Sequence, residues 1–135
     1  MADPRGPRLL DVEPQLHVTD LDAAFGFFRD KLGFEVAFRH GEPPFYGQVV
    51  RDAVRINLRH VDQPIVSAEA MAREPDLICG SVPVSDAGAL FAQFEARGAE
   101  FHQRLAHPEW AGEGTCDFIV RGPDGNLLHF IGPAA

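Results

Sequence analysis

The chain has 135 residues, a net charge of −8 and a hydrophobic content of 45%, values that suit one ordinary globular domain with a core of its own. The acidity argues against nucleic acid and anionic membrane as partners and favours cationic ones. No apolar run reaches the length of a membrane span, and Met1-Ala2-Asp3-Pro4-Arg5 lacks the apolar segment of a secretory signal.

Two cysteines, Cys79 and Cys116, make no disulfide framework, so a cytoplasmic location is expected. Met1 to about Asp11 is rich in Pro, Gly and Arg and reads as a loose arm. Gln15 to Thr19 alternates as a half-buried strand does, with Leu16 and Val18 on one side. Thr19 or Asp20 can cap the helix that follows. Its apolar positions Leu21, Ala24, Phe25, Phe28 and Leu32 share one face, and Gly33 is a natural left-handed stop. Strands are predicted at Phe34–His40, Phe45–Val50 and Val54–His60. Val61 to Asp76 is a connector with a weak helix at Ala68–Arg73.

The second half repeats this order. A strand is predicted at Leu77–Val84, then a helix capped by Ser85 that ends near Gly98. Strands follow at Glu100–Leu105, Cys116–Arg121 and Leu127–Ile131. Gly122-Pro123-Asp124-Gly125-Asn126 has the turn chemistry of a hairpin, and His107–Thr115, with the chain's single Trp, is a loop long enough for function. The repetition is literal. Val18, Asp20, Phe25 and Phe28 recur as Val84, Asp86, Phe91 and Phe94, at one offset of about 66 residues. The expected fold is α+β, one domain over 1–135. Two βαβββ modules, about 12–62 and 76–133, would form a curved mixed sheet around a cleft, with helices on the convex side.

Three stretches carry a family resemblance: Val18-Thr19-Asp20-Leu21, Phe27 to Phe34, and Pro123-Asp124-Gly125-Asn126-Leu127-Leu128-His129-Phe130. In this order they resemble the vicinal oxygen chelate superfamily of glyoxalases, bleomycin resistance proteins and dioxygenases. Within it, Gly47 to Val54, Glu109-Trp110-Ala111-Gly112 with Asp117 to Arg121, and Gly125-Asn126 with His129-Phe130 are similar to the bleomycin resistance proteins. Ala111 beside Trp110 and the Pro43-Pro44 pair depart from that pattern and bear on ligand identity. The resemblance implies a cytoplasmic homodimer that sequesters a cationic or aromatic drug, such as a glycopeptide antibiotic, without chemistry.

The resemblance also implies where catalytic relatives hold a divalent metal. Those corners fall here on Glu13, Asn57, Cys79 and His129, with Cys79 open to a slip onto Gly80. Asn57 is a poor ligand for a Lewis-acid site, and a thiolate beside a carboxylate suits few metals. No cofactor and no catalytic residue are therefore expected. The alternative is a metal-dependent lyase or dioxygenase. Alternation places Glu13, Gln15, His17, Thr19, Arg55, Asn57 and Arg59 on the cleft face, though Arg55 and Arg59 could equally belong to a solvated face. Phe38, Phe45, Tyr46 and Trp110 stand near the rim. The ligand-binding set is accordingly Phe38, Phe45, Tyr46, Asn57, Arg59, Trp110 and His129. Glu109, Glu113 and Asp117 read as isolated acids without a partner.

Overall fold

The computed structural model describes residues 3–134; residues 1, 2 and 135 of the expected span, with the first two of the arm, lie outside the described residues. The first module runs β1 (Gln15–Val18), α1 (Leu21–Leu32), β2 (Glu35–His40), β3 (Tyr46–Arg51) and β4 (Val54–His60). After α2 (Ala68–Arg73) the second runs β5 (Ile78–Pro83), α3 (Ala87–Ala96), β6 (Glu100–Ala106), β7 (Thr115–Arg121) and β8 (Leu127–Pro133). Each module is a four-stranded mixed sheet, ordered β1-β4-β3-β2 and β5-β8-β7-β6. The outer parallel pair and the antiparallel meander are the same in both. The two sheets share no ladder.

Local chemistry sets the element ends. Asp20 caps α1 by accepting from the Ala23 amide, and Gly33 (φ 73°) closes it, its N–H donating to the Phe28 carbonyl. For α3 the cap is Asp86, which accepts from the Ala89 amide, and not the expected Ser85. Asp86 is the repeat mate of Asp20, and its carboxylate reaches the third amide of the helix as its counterpart does.

Packing unites the modules. One buried cluster joins Phe25, Phe28 and Leu32 of α1, Phe94 of α3, and the helix-facing residues of both sheets, among them Val18, Ile56, Leu58, Phe118, Val120 and Phe130. Phe118 and Phe130 stack with centroids 5.2 Å apart, and Phe94 meets both edge-on. Arg51 stitches the seam. Its guanidinium donates to the Leu32 carbonyl at 2.7 Å and lies 5.9 Å from the Phe94 ring centroid. With the helix-facing sides buried, the opposite faces of both sheets remain to build a site. No helix among the described residues is long and apolar enough to cross a membrane.

Candidate functional site

Strand register assembles the first module's face. Gln15, Asn57, Gln48 and Phe38 form one row across β1-β4-β3-β2. His17, Arg59, Tyr46 and His40 form the next. Opposed residues share a face, and so do residues two apart. Phe38, Tyr46, Asn57 and Arg59 of the expected ligand set therefore stand together, on the side away from the core. Phe38 and Tyr46 are in aromatic contact, with centroids 6.0 Å apart, and Phe38 is 43% exposed. Phe45 sits at the edge of this face, its ring against His40 at 5.4 Å.

Beside the aromatics is a polar cluster centred on Gln48, which sequence reasoning did not single out. Its Nε2 donates to Glu13 Oε1 at 3.0 Å and to Asn57 Oδ1 at 2.9 Å, and its Oε1 accepts from the Arg55 guanidinium at 3.3 Å. Arg55 thus closes the cluster from its own side of the sheet. Asn57 Nδ2 also reaches Glu13 Oε1, at 3.4 Å. Thr19, expected on this face, instead gives its hydroxyl to Asp124 of the second module.

The second module repeats the row with other chemistry. Ser81, His129, Ile119 and Gln103 lie across β5-β8-β7-β6. Ser81 is the repeat mate of Gln15, and His129 takes the place of Asn57. His129 is buried, 6% exposed, and so is Asp117 at 4%. The ring bonds Ser81 Oγ through Nδ1 at 2.9 Å and Asp117 Oδ2 through Nε2 at 2.8 Å. Gln103 Nε2 donates to the other carboxylate oxygen, Asp117 Oδ1, at 2.8 Å. Asp117 is therefore not the isolated acid expected from sequence; it is the partner of His129. Glu109 and Glu113 take no part in this chain of contacts. Trp110 lies in a 3₁₀ turn (Glu109–Ala111), 72% exposed, with its ring centroid 6.4 Å from that of His129.

Cys79 falls where the β5–β8 register shifts between Ile78 and Gly80, the place where sequence alignment could slip by one. Its thiol donates to Asn126 Oδ1 at 3.2 Å, and burial pushes the thiol pKa up. The residue lines a 350 Å³ crevice between the modules, with Gln15 and His17 on one wall, Asn126 on another and Ile65 and Met71 of the connector above. A wider groove of 510 Å³ between the Arg51–Val54 turn and α3 is on the helix side and contains none of the expected ligand residues.

The four metal corners do not fit a metal within one chain. Asn57 and Glu13 are tied to Gln48, both nitrogens of His129 are engaged, and Cys79 is a protonated donor to an amide. Among the described residues, no three His, Cys, Asp or Glu side chains are grouped as a metal site. The arrangement is suited to holding a flat ligand between exposed aromatics and fixed polar groups.

Comparison with known proteins gives the family. The glyoxalase/bleomycin resistance protein/dioxygenase superfamily model matches residues 12–130. Among solved structures, the bleomycin-binding protein of bleomycin-producing Streptomyces verticillus, in complex with copper(II)-bleomycin, is 26% identical. That match covers 96% of this chain and 98% of the other, with a TM-score of 0.68. UcmS2 is 25% identical over 93% of this chain and 98% of its own, at a TM-score of 0.69. The bleomycin resistance determinant of transposon Tn5, 20% identical with 94% and 100% covered, shares the fold at 0.69. No curated protein sequence matches. With its duplicated βαβββ modules and a family match across most of its length, the chain belongs to the glyoxalase/bleomycin resistance protein/dioxygenase superfamily.

Proposed function

We propose that the protein binds an aromatic or cationic drug of the bleomycin type on the open faces of its sheets and releases it unchanged. The observation that carries this reading is the exposure of Trp110, Phe38 and Phe45 on the side of the sheets that the core does not use. Exposed aromatics over fixed polar groups are costly for a free surface and useful for a ligand. Stacking supplies about 0.5–1.5 kcal/mol per ring pair beyond area burial, and a cation over Trp110 or Tyr46 adds about 0.5–2 kcal/mol. The Streptomyces verticillus protein, which binds copper(II)-bleomycin with the same fold, supports the choice of ligand class.

The functional unit is a homodimer in the cytoplasm. Leu9, Leu10 and Val12 are almost fully exposed in the N-terminal arm, which is apolar area that a second copy would cover, and both cysteines are free. No cofactor takes part, because the donor chemistry of the four corners is spent on internal hydrogen bonds. The experiment is titration calorimetry of the full chain with metal-free bleomycin and with copper(II)-bleomycin, beside light scattering for the dimer. Micromolar or tighter binding is expected; the absence of heat and of thermal stabilisation with either form would overturn the reading.

A further inference from the structure

The contacts of His129 select one tautomer of its neutral ring. A carboxylate can only accept, so Asp117 takes the Nε2 proton at 2.8 Å while Gln103 fills its other oxygen. In the neutral ring Nδ1 then carries the lone pair, and the Ser81 hydroxyl, 2.9 Å away, donates to it. A hydroxyl bonded to an imidazole that is itself oriented by a carboxylate is the arrangement that activates a serine for attack, and it is recognised by these roles rather than by chain order. The ring is turned end for end relative to the familiar serine hydrolases, which the chemistry tolerates because either nitrogen can be the acceptor.

Two further facts separate this chain of contacts from routine satisfaction of polar groups. Ser81 is exposed while His129 and Asp117 are buried, so the relay ends at solvent. The first module meets the same need at the matching row with amides, Gln48 and Asn57, and puts Gln15 where Ser81 stands; the fold does not demand a Ser-His-Asp chain here.

The geometry points to Ser81 as a nucleophile, with His129 as its base, toward activated esters of small carboxylic acids, aryl esters above all. Ser81 Oγ attacks the ester carbonyl carbon as its proton passes to His129 Nδ1. The tetrahedral adduct expels the aryl oxide, which leaves as the phenol with that proton or, at alkaline pH, as phenolate while the proton passes from Nδ1 to solvent, and the acyl group stays on Ser81. Water, deprotonated by the same nitrogen, then attacks the acyl-serine, returning the carboxylic acid and the free serine. One ester and one water become one acid and one phenol, with no change of oxidation state. An aryl leaving group has a surface to rest on in Trp110, 6.4 Å from His129 between ring centroids. It also departs readily, which lowers the demand for stabilising the oxyanion. Asp117 and Gln103 are positioning residues. This activity goes beyond drug binding and does not depend on it.

The test uses the full chain with p-nitrophenyl acetate, reading p-nitrophenolate release together with intact mass and peptide mapping. One acetyl group per chain is expected on the peptide that carries Ser81. Ser81→Ala, an exposed change, should fold normally, lose that adduct and release p-nitrophenolate about tenfold or more slowly. Asp117→Asn should slow acylation at saturating ester while leaving the half-saturating ester concentration nearly unchanged, because the carboxylate that holds the imidazole in its accepting tautomer is lost; circular dichroism verifies its folding. Equal release by wild type and Ser81→Ala, or acetyl groups only on lysines or the N-terminus, would overturn the inference. Acetylation of Ser81 in a protein that binds no bleomycin would remove the binding proposal and leave this one standing.

Discussion

Asp124 accepts two hydrogen bonds from Thr19, one from its amide at 2.8 Å and one from its hydroxyl at 2.7 Å. The two residues are 105 positions apart, one at the end of β1 and the other in the turn before β8. Because the sheets share no ladder, this contact, with Asn126 Nδ2 donating to the His17 carbonyl at 3.2 Å, is how the backbone of one module is pinned to the other on the site side. Asp124 holds a left-handed backbone, φ 57°, a conformation that Asp and Asn tolerate better than most residues.

Asp124→Ala should therefore destabilise the protein by about 1–3 kcal/mol, since two donors of Thr19 lose their acceptor and alanine takes the strained conformation. Asp124→Asn keeps the backbone and one acceptor oxygen and should cost clearly less. Urea denaturation of both variants checks the order. Equal losses would mean that the side-chain contacts do not hold the seam.

The repeat made most of this architecture legible. Alternation of Leu16 and Val18 against Gln15 and His17, and the helix stripe ending at Gly33, are local signals that need no tertiary knowledge. The candidate face was legible in the first module: Asn57 and Arg59 follow from strand parity, and Phe38 and Tyr46, expected near the rim, share their face. Gln48 and Ser81 did not emerge, and Asp117 read as an isolated acid, because the role of each depends on register between strands. A signal for Asp117 was nevertheless present. An acidic residue inside Cys116-Asp117-Phe118-Ile119-Val120 is unusual for a strand, and the Gly122–Asn126 hairpin pairs Arg121 with Leu127 and so Ile119 with His129. That sets Asp117 diagonally across from the imidazole. Ser81 could have been found as the repeat mate of Gln15.

Trp110→Ala should weaken binding of metal-free bleomycin by about 1 kcal/mol or more, as truncating an aromatic anchor does. The side chain is 72% exposed, so the melting temperature of the free protein should stay nearly constant. Calorimetry and a thermal melt on the same sample separate the two effects. An unchanged dissociation constant would show that the loop from His107 to Thr115 lies outside the binding surface.

Cys79 should react slowly with iodoacetamide at neutral pH despite lying in an open crevice. Burial raises its thiol pKa, so at a given pH less of it is thiolate, and the thiolate is the nucleophile. Its alkylation rate should keep rising with pH beyond the point where a free thiol levels off. Cys116 is fully buried and within 3.1 Å of His107 Nδ1, and should be protected until the chain unfolds. Peptide mapping after timed alkylation reads both. Rapid labelling of Cys79 at pH 7 would contradict the raised pKa of its thiol.

Gly132→Ala is the sharpest test of how the second module closes. A Cβ on Gly132 would collide with the backbone carbonyl of Val84, which lies just past β5 and whose amide bonds the Ile131 carbonyl at 2.8 Å. Neither neighbour is a flexible side-chain end, so relief requires β8 to move away from β5. That would pull on the same strand pair that carries His129 and Ser81. The expected loss is about 1–3 kcal/mol, the usual cost of overpacking a filled site. Acylation of Ser81 should fall with it even at temperatures where the variant remains folded, because the 2.9 Å contact from Ser81 Oγ to His129 Nδ1 spans those two strands. Denaturation together with the p-nitrophenyl acetate assay distinguishes a global loss from a local one. A variant as stable as the wild type would show that β5 and β8 are not pressed together at Gly132.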